Sequence, residues 1–331
     1  MRRILCWVTL VVAIAPAAWS ADEVTAVIAP GQVGIRVNGE PFAVYNHGTG
    51  LAKPYIYPLR APGGHVINTV APFDHKHHKG VWVGVEEVNG INFWGGKYQQ
   101  QDAVEPAPAS ERIETAHVDT KPAANGGLTL AVHNLWQGEG GKTVAHEKTS
   151  ITVYPNRLMV YDITLQAGDE VVNFKDTKEG FLAIRVAPTM NEKTAVRVKD
   201  EDRKRTATQA YQQLAGRIVN AEGEVGEETC WGKTSAWVDY SGLVDGNLVG
   251  VALFDHPGNF RKSRYHVRGY GLFAISPFGE KVYSKGQSDA PPISLQPGQS
   301  LNVKYGLFAH QGDEQTGKVA EAYQKFVDWT K

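Results

Sequence analysis

Apolar and polar residues alternate with a period of two along most of this chain, and glycine, proline and asparagine break the alternation at short intervals. A period of two sends successive side chains to opposite faces of an extended backbone, so the pattern predicts strands with one buried face. Val33 to Val37 and Pro41 to Tyr45 flank Asn38-Gly39, and Val81 to Val88 and Ile91 to Trp94 flank Asn89-Gly90. Asn-Gly between apolar runs signals a hairpin, because a two-residue turn needs positive φ at both positions. Lys142 to Tyr154 and Arg157 to Gln166, around Pro155-Asn156, predict a third hairpin. Further strands are expected at Leu128 to Trp136, Phe181 to Ala187, Ser235 to Tyr240, Leu248 to Phe254, Tyr265 to Ile275 and Ser300 to His310. Helical spacing occurs once, at Val319, Tyr323, Phe326 and Val327 within Thr316 to Thr330, and predicts a helix over one end of the sheets. With 35 glycines and 17 prolines to make turns, these elements predict an all-β fold. Its expected form is one large two-sheet antiparallel β-sandwich with a single C-terminal helix.

The first residues change the setting. Met1-Arg2-Arg3 is basic, Ile4 to Ala15 is apolar, and Ala18-Trp19-Ser20 precedes Ala21 as a small-x-small cleavage site. Residues 1–20 therefore read as a secretory signal peptide, and 21–331 as a single domain delivered to the periplasm or the cell exterior. Cys6 falls in the part removed, leaving Cys230 without a disulfide partner. A chain of this length holds itself together with a large apolar core instead. Lys plus Arg number 34 against 35 for Asp plus Glu, and no basic stripe exists, which argues against nucleic acid or an anionic membrane surface as partner. No later apolar run approaches the ~20 residues of a membrane-spanning helix.

Candidate chemistry is concentrated in a few segments. Asp74-His75-Lys76-His77-His78-Lys79-Gly80 crowds three imidazoles and a carboxylate ahead of a strand, and imidazole titrates near neutral pH. Asp255-His256-Pro257-Gly258-Asn259 closes another strand, where the same residues serve equally well as turn formers. In Tyr265 to Tyr270, strand alternation would put His266, Arg268 and Tyr270 on one face, and Arg185 points opposite Leu182, Ile184 and Val186. The two arginines then share a non-core surface, each in need of a carboxylate or a polar ligand. Tyr57 and Arg60 sit in Tyr55-Ile56-Tyr57-Pro58-Leu59-Arg60, and Trp82, Trp94 and Trp231 offer either stacking surface for a sugar or core.

Taken in order, Tyr55 to Arg60, Asp74 to Trp82, Asn89-Gly90-x-x-Phe93-Trp94, Lys178-Glu179-Gly180, Trp237 to Gly242, Asp255 to Asn259 and His266 to Gly271 resemble the PmoA-like family of secreted bacterial proteins. The resemblance runs from about Gly48 to the C-terminus. The label points to a methane-oxidising membrane subunit, but a chain of strands without a span does not fit one. What the resemblance implies is a carbohydrate or keto-sugar substrate. Leu295-Gln296-Pro297-Gly298-Gln299-Ser300-Leu301 also resembles the close of mutarotase-like sandwiches.

The expected function is thus an exported carbohydrate-active hydrolase, lyase or epimerase working by acid–base chemistry on a small-molecule carbohydrate. In it His75, His77 and His78 supply a general acid or base, and Asp255 with His256, or His266, the complementary group. Arg185 and Arg268 stabilise developing charge, while Tyr57, Arg60, Trp82, Trp94, Glu179, Asn259 and Tyr270 contact substrate. The same histidines with Asp74, Glu179 or Asp255 would suit a divalent metal. The alternative is a non-catalytic sugar-binding or scaffold protein of the envelope. An enzyme requires the first histidine cluster and His256 or His266 on one concave surface. A binding module needs only exposed aromatics in a groove.

Overall fold

A computed structural model describes residues 23–95, 111–197, 209–288 and 290–331. The expected signal segment and its cleavage point at Ala21 lie outside the described residues. Two eight-stranded antiparallel sheets face each other. The first contains β1 (Val24–Ala29), β2 (Gln32–Val37), β3 (Glu40–Asn46), β4 (Tyr55–Leu59), β5 (Val81–Val85), β11 (Gly180–Arg185), β17 (Arg264–Val267) and β18 (Leu272–Ser276), in the order β1-β2-β3-β4-β5-β11-β18-β17. The second contains β6 (Arg112–Pro122), β7 (Leu128–Gln137), β8 (Thr143–Val153), β9 (Leu158–Ala167), β14 (Arg217–Asn220), β15 (Trp237–Val244), β16 (Asn247–Asp255) and β20 (Ser300–Gln311), in the order β14-β15-β16-β20-β9-β8-β7-β6. Two short ribbons, β10 (Val172–Phe174) with β19 (Ile293–Leu295) and β12 (Lys193–Arg197) with β13 (Gln209–Gln213), complete the strands.

The expected two-sheet sandwich is the observed one. Its core is made by the alternate residues the pattern marks. Val33, Ile35, Val81, Ile184 and Phe273 of the first sheet, and Ile151, Ile163, Val251 and Leu307 of the second, belong to one buried cluster. Such interleaving of two inner faces is what makes a sandwich core. The first and third predicted hairpins form in register, Val33 opposite Tyr45 and Val153 opposite Met159.

Three local expectations change. Asn89 and Gly90 do take positive φ, but Ile91 to Trp94 does not return as a strand. The Asn92 carboxamide accepts the Trp94 and Gly95 amides and turns the chain away. β5 instead pairs with β4 and β11. Tyr265 to Ile275 is not one strand but two, β17 and β18, joined by a turn in which Gly271 takes φ +98°. A β-carbon at Gly271 would meet Asn191 Oδ1 at 2.4 Å, so glycine is required there. The C-terminal helix α3 (Val319–Trp329) does not cover an end. It lies on the outer face of the second sheet, where Val319, Ala322 and Phe326 pack on Leu158, Val160, Ala252, Phe254 and Phe308. Two further short helices, α1 (Glu227–Cys230) and α2 (Glu280–Tyr283), flank the β17 end of the first sheet. The strand β6 was not expected, because its Arg112–Pro122 sequence is largely polar at the sheet edge.

Candidate active site

The outer face of the first sheet carries the chemistry. Register places Trp82 of β5 opposite Ala183 of β11, Ala183 opposite Ala274 of β18, and Ala274 opposite His266 of β17. The two alanines make a trough between an indole and an imidazole, roofed by Trp94, Leu272 and Tyr270 in a small apolar cluster. The histidine run crosses this face as a loop rather than a strand. His75 N donates to the Pro72 carbonyl at 3.1 Å and His78 N to the His75 carbonyl at 3.0 Å, forming two successive tight turns. Ala71 N to His78 O at 2.8 Å closes the loop, and Arg185 N to Gly80 O at 2.9 Å pins it to β11. Gly80 makes that attachment possible, since its φ is +59° and a β-carbon would sit 2.1 Å from the Ile56 carbonyl oxygen.

Arg185 organises the loop from beneath. Its guanidinium, 4% exposed, donates to both oxygens of Asp74 at 3.1 and 2.8 Å and to His78 Nδ1 at 3.0 Å. It also stands 5.1 Å from the centre of the Tyr270 ring. A guanidinium can only donate, so His78 Nδ1 is a bare acceptor and the ring is neutral with its proton on Nε2. Asp74 Oδ2 lies 2.9 Å from His75 Nδ1. Burial by itself would raise the Asp74 carboxyl, but the His75 hydrogen bond and the Arg185 charge outweigh it and hold the group well below the carboxylate range. His75 is stacked between His78 at 4.6 Å and Tyr270 at 5.0 Å, with rings within 8° of parallel. His77 meets His78 edge-on at 4.5 Å.

Burial and the neighbouring positive charges push His77 down to about 3 and His78 well below the usual imidazole value. Near neutral pH these two rings accept hydrogen bonds or donate from a neutral ring, but they carry no extra proton. Behind them Lys53 is buried, its ammonium donating to the Trp94 carbonyl and lying 5.5 Å from the Trp82 ring. Burial, then the charge of Lys79, lowers it to about 7.

A cleft of about 440 Å³ opens over this arrangement. His75, His77, Glu86 and Glu179 line it, with Phe73, Trp94, Tyr270 and Leu272 as its apolar part. Phe73 is 66% exposed at the rim. Burial, then the negative charge of Glu179, raises the Glu86 carboxyl. Glu179 is 2.9 Å from Lys178 Nζ and 3.5 Å from His266 Nδ1. His266 Nδ1 is also 3.1 Å from the Lys178 carbonyl. Burial takes His266 down to about 4, against the opposing charge of Glu179. One cleft thus offers an imidazole oriented by a carboxylate, an acid of raised affinity for protons, a phenol and an apolar platform. Proton transfer to and from a polar organic ligand is within its means.

The structure sorts the sequence candidates. His75, His77, Trp94, Glu179 and Tyr270 line the cleft together with His78, Arg185 and Trp82 stand directly beneath, and His266 touches it through Glu179. The proposed His266, Arg268, Tyr270 ladder is broken by the turn at Gly271. Tyr270 folds back onto His75, and Arg268 turns away to pair with Glu227 of α1 at 2.9 Å. Asp255, His256 and Asn259 are not brought to the cleft. Asp255 is held by Asn259 Nδ2 and Ser263 N, both at 2.8 Å. His256 packs on Phe326 of α3, and Asn259 also bonds both backbone groups of Lys304. These are the bonds of a turn that ties β16 to β20. Tyr57 and Arg60 also lie apart, the arginine donating to the Gly64 carbonyl at 2.7 Å. Sequence reasoning missed Glu86, Phe73 and Lys53. Glu86 directly follows the β5 strand, but nothing in its neighbours distinguishes it from a solvated strand-end carboxylate.

Among the described residues, no group of three or more His, Cys, Asp and Glu side chains is placed to hold a metal ion. The reason is local: both Asp74 oxygens and His78 Nδ1 are already committed to Arg185. No helix of the described residues is long and apolar enough to cross a membrane.

Residues 32–324 match the model of the family of unknown function DUF6807, and the chain belongs to that family. The match does not show the PmoA-like affiliation. No curated protein matches the chain. Among solved structures, a polysaccharide lyase shares 14% identity at a TM-score of 0.31, over 89% of this chain and 33% of that one. A galactose mutarotase related enzyme from Lactobacillus acidophilus shares 10% identity at a TM-score of 0.22, over 88% and 97%. This chain therefore spans about a third of the lyase chain, and both likenesses are too slight to bear on chemistry.

Proposed function

We propose that the chain is an exported, PmoA-like carbohydrate-active enzyme that works by acid–base chemistry in the cleft between the histidine loop and Glu179. The observation that carries this reading is that the Asp74–His75 pair and Glu86 line one cavity. The Asp74 carboxylate lies 2.9 Å from His75 Nδ1, and His75 is the base of this reading. Glu86, raised by burial and by Glu179, is the complementary acid. A base and an acid lining one cavity serve hydrolysis of a glycoside, elimination next to a carbonyl, or epimerisation, which all move one proton on and one off. Phe73, Trp94 and Tyr270 supply apolar faces of the kind sugar rings stack on. Arg185 acts from below by holding Asp74 and His78, not by touching substrate. The charge of the lining also speaks for sugars over phosphorylated or nucleic-acid ligands, because the carboxylates of Asp74, Glu86 and Glu179 line the cleft beside the single lysine Lys76. The basic and apolar opening of the sequence supports export.

The test is a screen of the purified protein on native and 3-keto glycosides, followed by His75→Ala and Glu86→Gln on whichever substrate turns over. Each variant should lower kcat at least a hundredfold with an unchanged unfolding temperature. Wild-type rates in both would end the proposal. Saturable binding without turnover by the native protein would favour the non-catalytic sugar-binding reading, which Phe73 at the rim equally serves.

A further inference from the structure

Three histidines far apart in the sequence meet on the outer face of the second sheet, on the other side of the sandwich from the cleft. His117 of β6, His133 of β7 and His146 of β8 stand on three neighbouring strands. Strand alternation buries Val132 and Asn134 and leaves His133 on the opposite face; it buries Ala145 and Glu147 and leaves His146 there too. His117 reaches that face through a β-bulge. Thr115 pairs with Asn134, and its hydroxyl donates to the Asn134 carboxamide on the inner side. Simple alternation would therefore turn His117 inward as well. The register shift between Thr115 and His117 sets His117 directly opposite His133 instead, and re-aiming a side chain is what a bulge does.

The rings of His133 and His146 are stacked at 5.5 Å, 28° from parallel, and His133 Nε2 lies 3.2 Å from His146 Nδ1. Two imidazoles on one tetrahedral zinc ion, each bonded at about 2.0–2.1 Å, hold their nitrogens about 3.3–3.4 Å apart. The pair is thus already at the spacing of two zinc ligands. His133 and His146 are half-buried and His117 is exposed, so an ion reaches them from solvent. Burial, then the charges of His146, Lys148 and His117, lower the His133 pKa, and the neutral ring is the form that ligates. Two other charged groups share the face. Lys148 is opposite His133 in the register, but it is exposed and its long stem lets the ammonium swing into water. Glu114 is engaged by Arg112.

We infer that His133 and His146 form a zinc-binding site on the outer face of the second sheet, with His117 as the adjoining third imidazole. Among the described residues no three His, Cys, Asp and Glu side chains already converge on an ion. The two paired nitrogens therefore bind first, His117 turns in about its exposed side-chain bonds, and water takes the fourth position. The hydrogen that one ring lends the other in the free protein moves through solvent to the second nitrogen of its own ring, so both remain neutral ligands.

The test is independent of the carbohydrate reading. The full chain, stripped with a chelator, is titrated with zinc chloride by calorimetry near neutral pH, and one ion per chain should bind. His133→Asn and His146→Asn should each weaken that affinity about tenfold or more, and His117→Asn by less, with unfolding temperatures unchanged in the absence of zinc. Native affinity in His133→Asn overturns the site, and native affinity in His117→Asn overturns the third position. Loss of binding in His75→Ala but not in His133→Asn assigns the ion to the cleft and overturns the site as well. Because a variant can misfold, the histidine ring resonances of the native protein are also followed as zinc is added. Selective shifts of His133 and His146 support the site. Shifts confined to His75, His77 and His78, or no uptake of zinc, overturn it.

Discussion

Replacing Arg185 with methionine tests the architecture of the site without reference to any substrate. The side chain is 4% exposed and Asp74 8%, so the substitution removes three charge-assisted contacts, at 2.8, 3.1 and 3.0 Å, and leaves a buried carboxylate with only His75. Breaking a buried ion pair from one side costs about 3–5 kcal/mol. Unfolding entropy is ~2.1 cal/mol/K per residue, which for 331 residues comes to about 0.7 kcal/mol/K. The expected fall in Tm, read by calorimetry near neutral pH, is therefore about 4–7 °C. Adding Asp74→Asn should restore part of the loss, because the orphaned charge is then gone. The pH dependence has a definite sign. The folded Asp74 pKa is depressed, so the stabilisation is fully present above the unfolded value of about 3.9 and is lost as pH falls through the folded value. The Tm gap between wild type and Arg185→Met should accordingly narrow below about pH 4. A change under about 1 °C at neutral pH would refute the claim that Arg185 holds the loop, since a surface pair is worth only about 0–1 kcal/mol.

Three further outcomes follow from other parts of the molecule. Gly80→Ala should lower the urea midpoint by the equivalent of about 3 kcal/mol or more, from positive-φ strain together with the clash at Ile56, and wild-type stability would contradict the loop geometry. Phe326→Ala, at a fully buried position between α3 and Phe254, should cost about 3–5 kcal/mol in chemical denaturation; a loss under about 1 kcal/mol would mean the helix is not seated on the second sheet. The buried His310–Asp239 pair, 2.7 Å apart, gives the opposite pH slope to Asp74. Burial lowers His310, but the Asp239 charge and hydrogen bond overcome it and leave its pKa raised. Its contribution is then complete below about pH 6.5 and lost as pH rises through the folded value. Unfolding measured from pH 6 to 9 should show that decline in wild type and not in Asp239→Asn.

Much of the fold was legible because strand alternation and Asn-Gly turns are local properties. The core faces of β2, β9 and β20 are the apolar positions of the pattern, and the C-terminal helix falls within the stretch its spacing marks, though on a sheet face and not over an end. The errors came where a side chain overrode the pattern. Asn92 captured two amides and ended a hairpin, and Gly271 allowed a turn that no apolar period reveals. The His75, His77, His78 and Arg185 part of the site was visible as a cluster and as a charge on the wrong side of a strand. Glu86 was invisible, since a carboxylate at a strand end is ordinary until another carboxylate is placed beside it.

By itself the sequence determined many of the strands, which of their faces are apolar, and that a short run holds three imidazoles. Those are consequences of neighbours along the chain. Only the tertiary structure decided that β5, β11, β18 and β17 lie side by side, so that Trp82, Arg185, His266 and the loop at His75 share one face while Asp255 and His256 serve a turn against the terminal helix. Pairing between strands 100 or more residues apart, such as Ala183 with Trp82, is fixed by the burial of whole faces against each other. No stretch of chain carries that information alone.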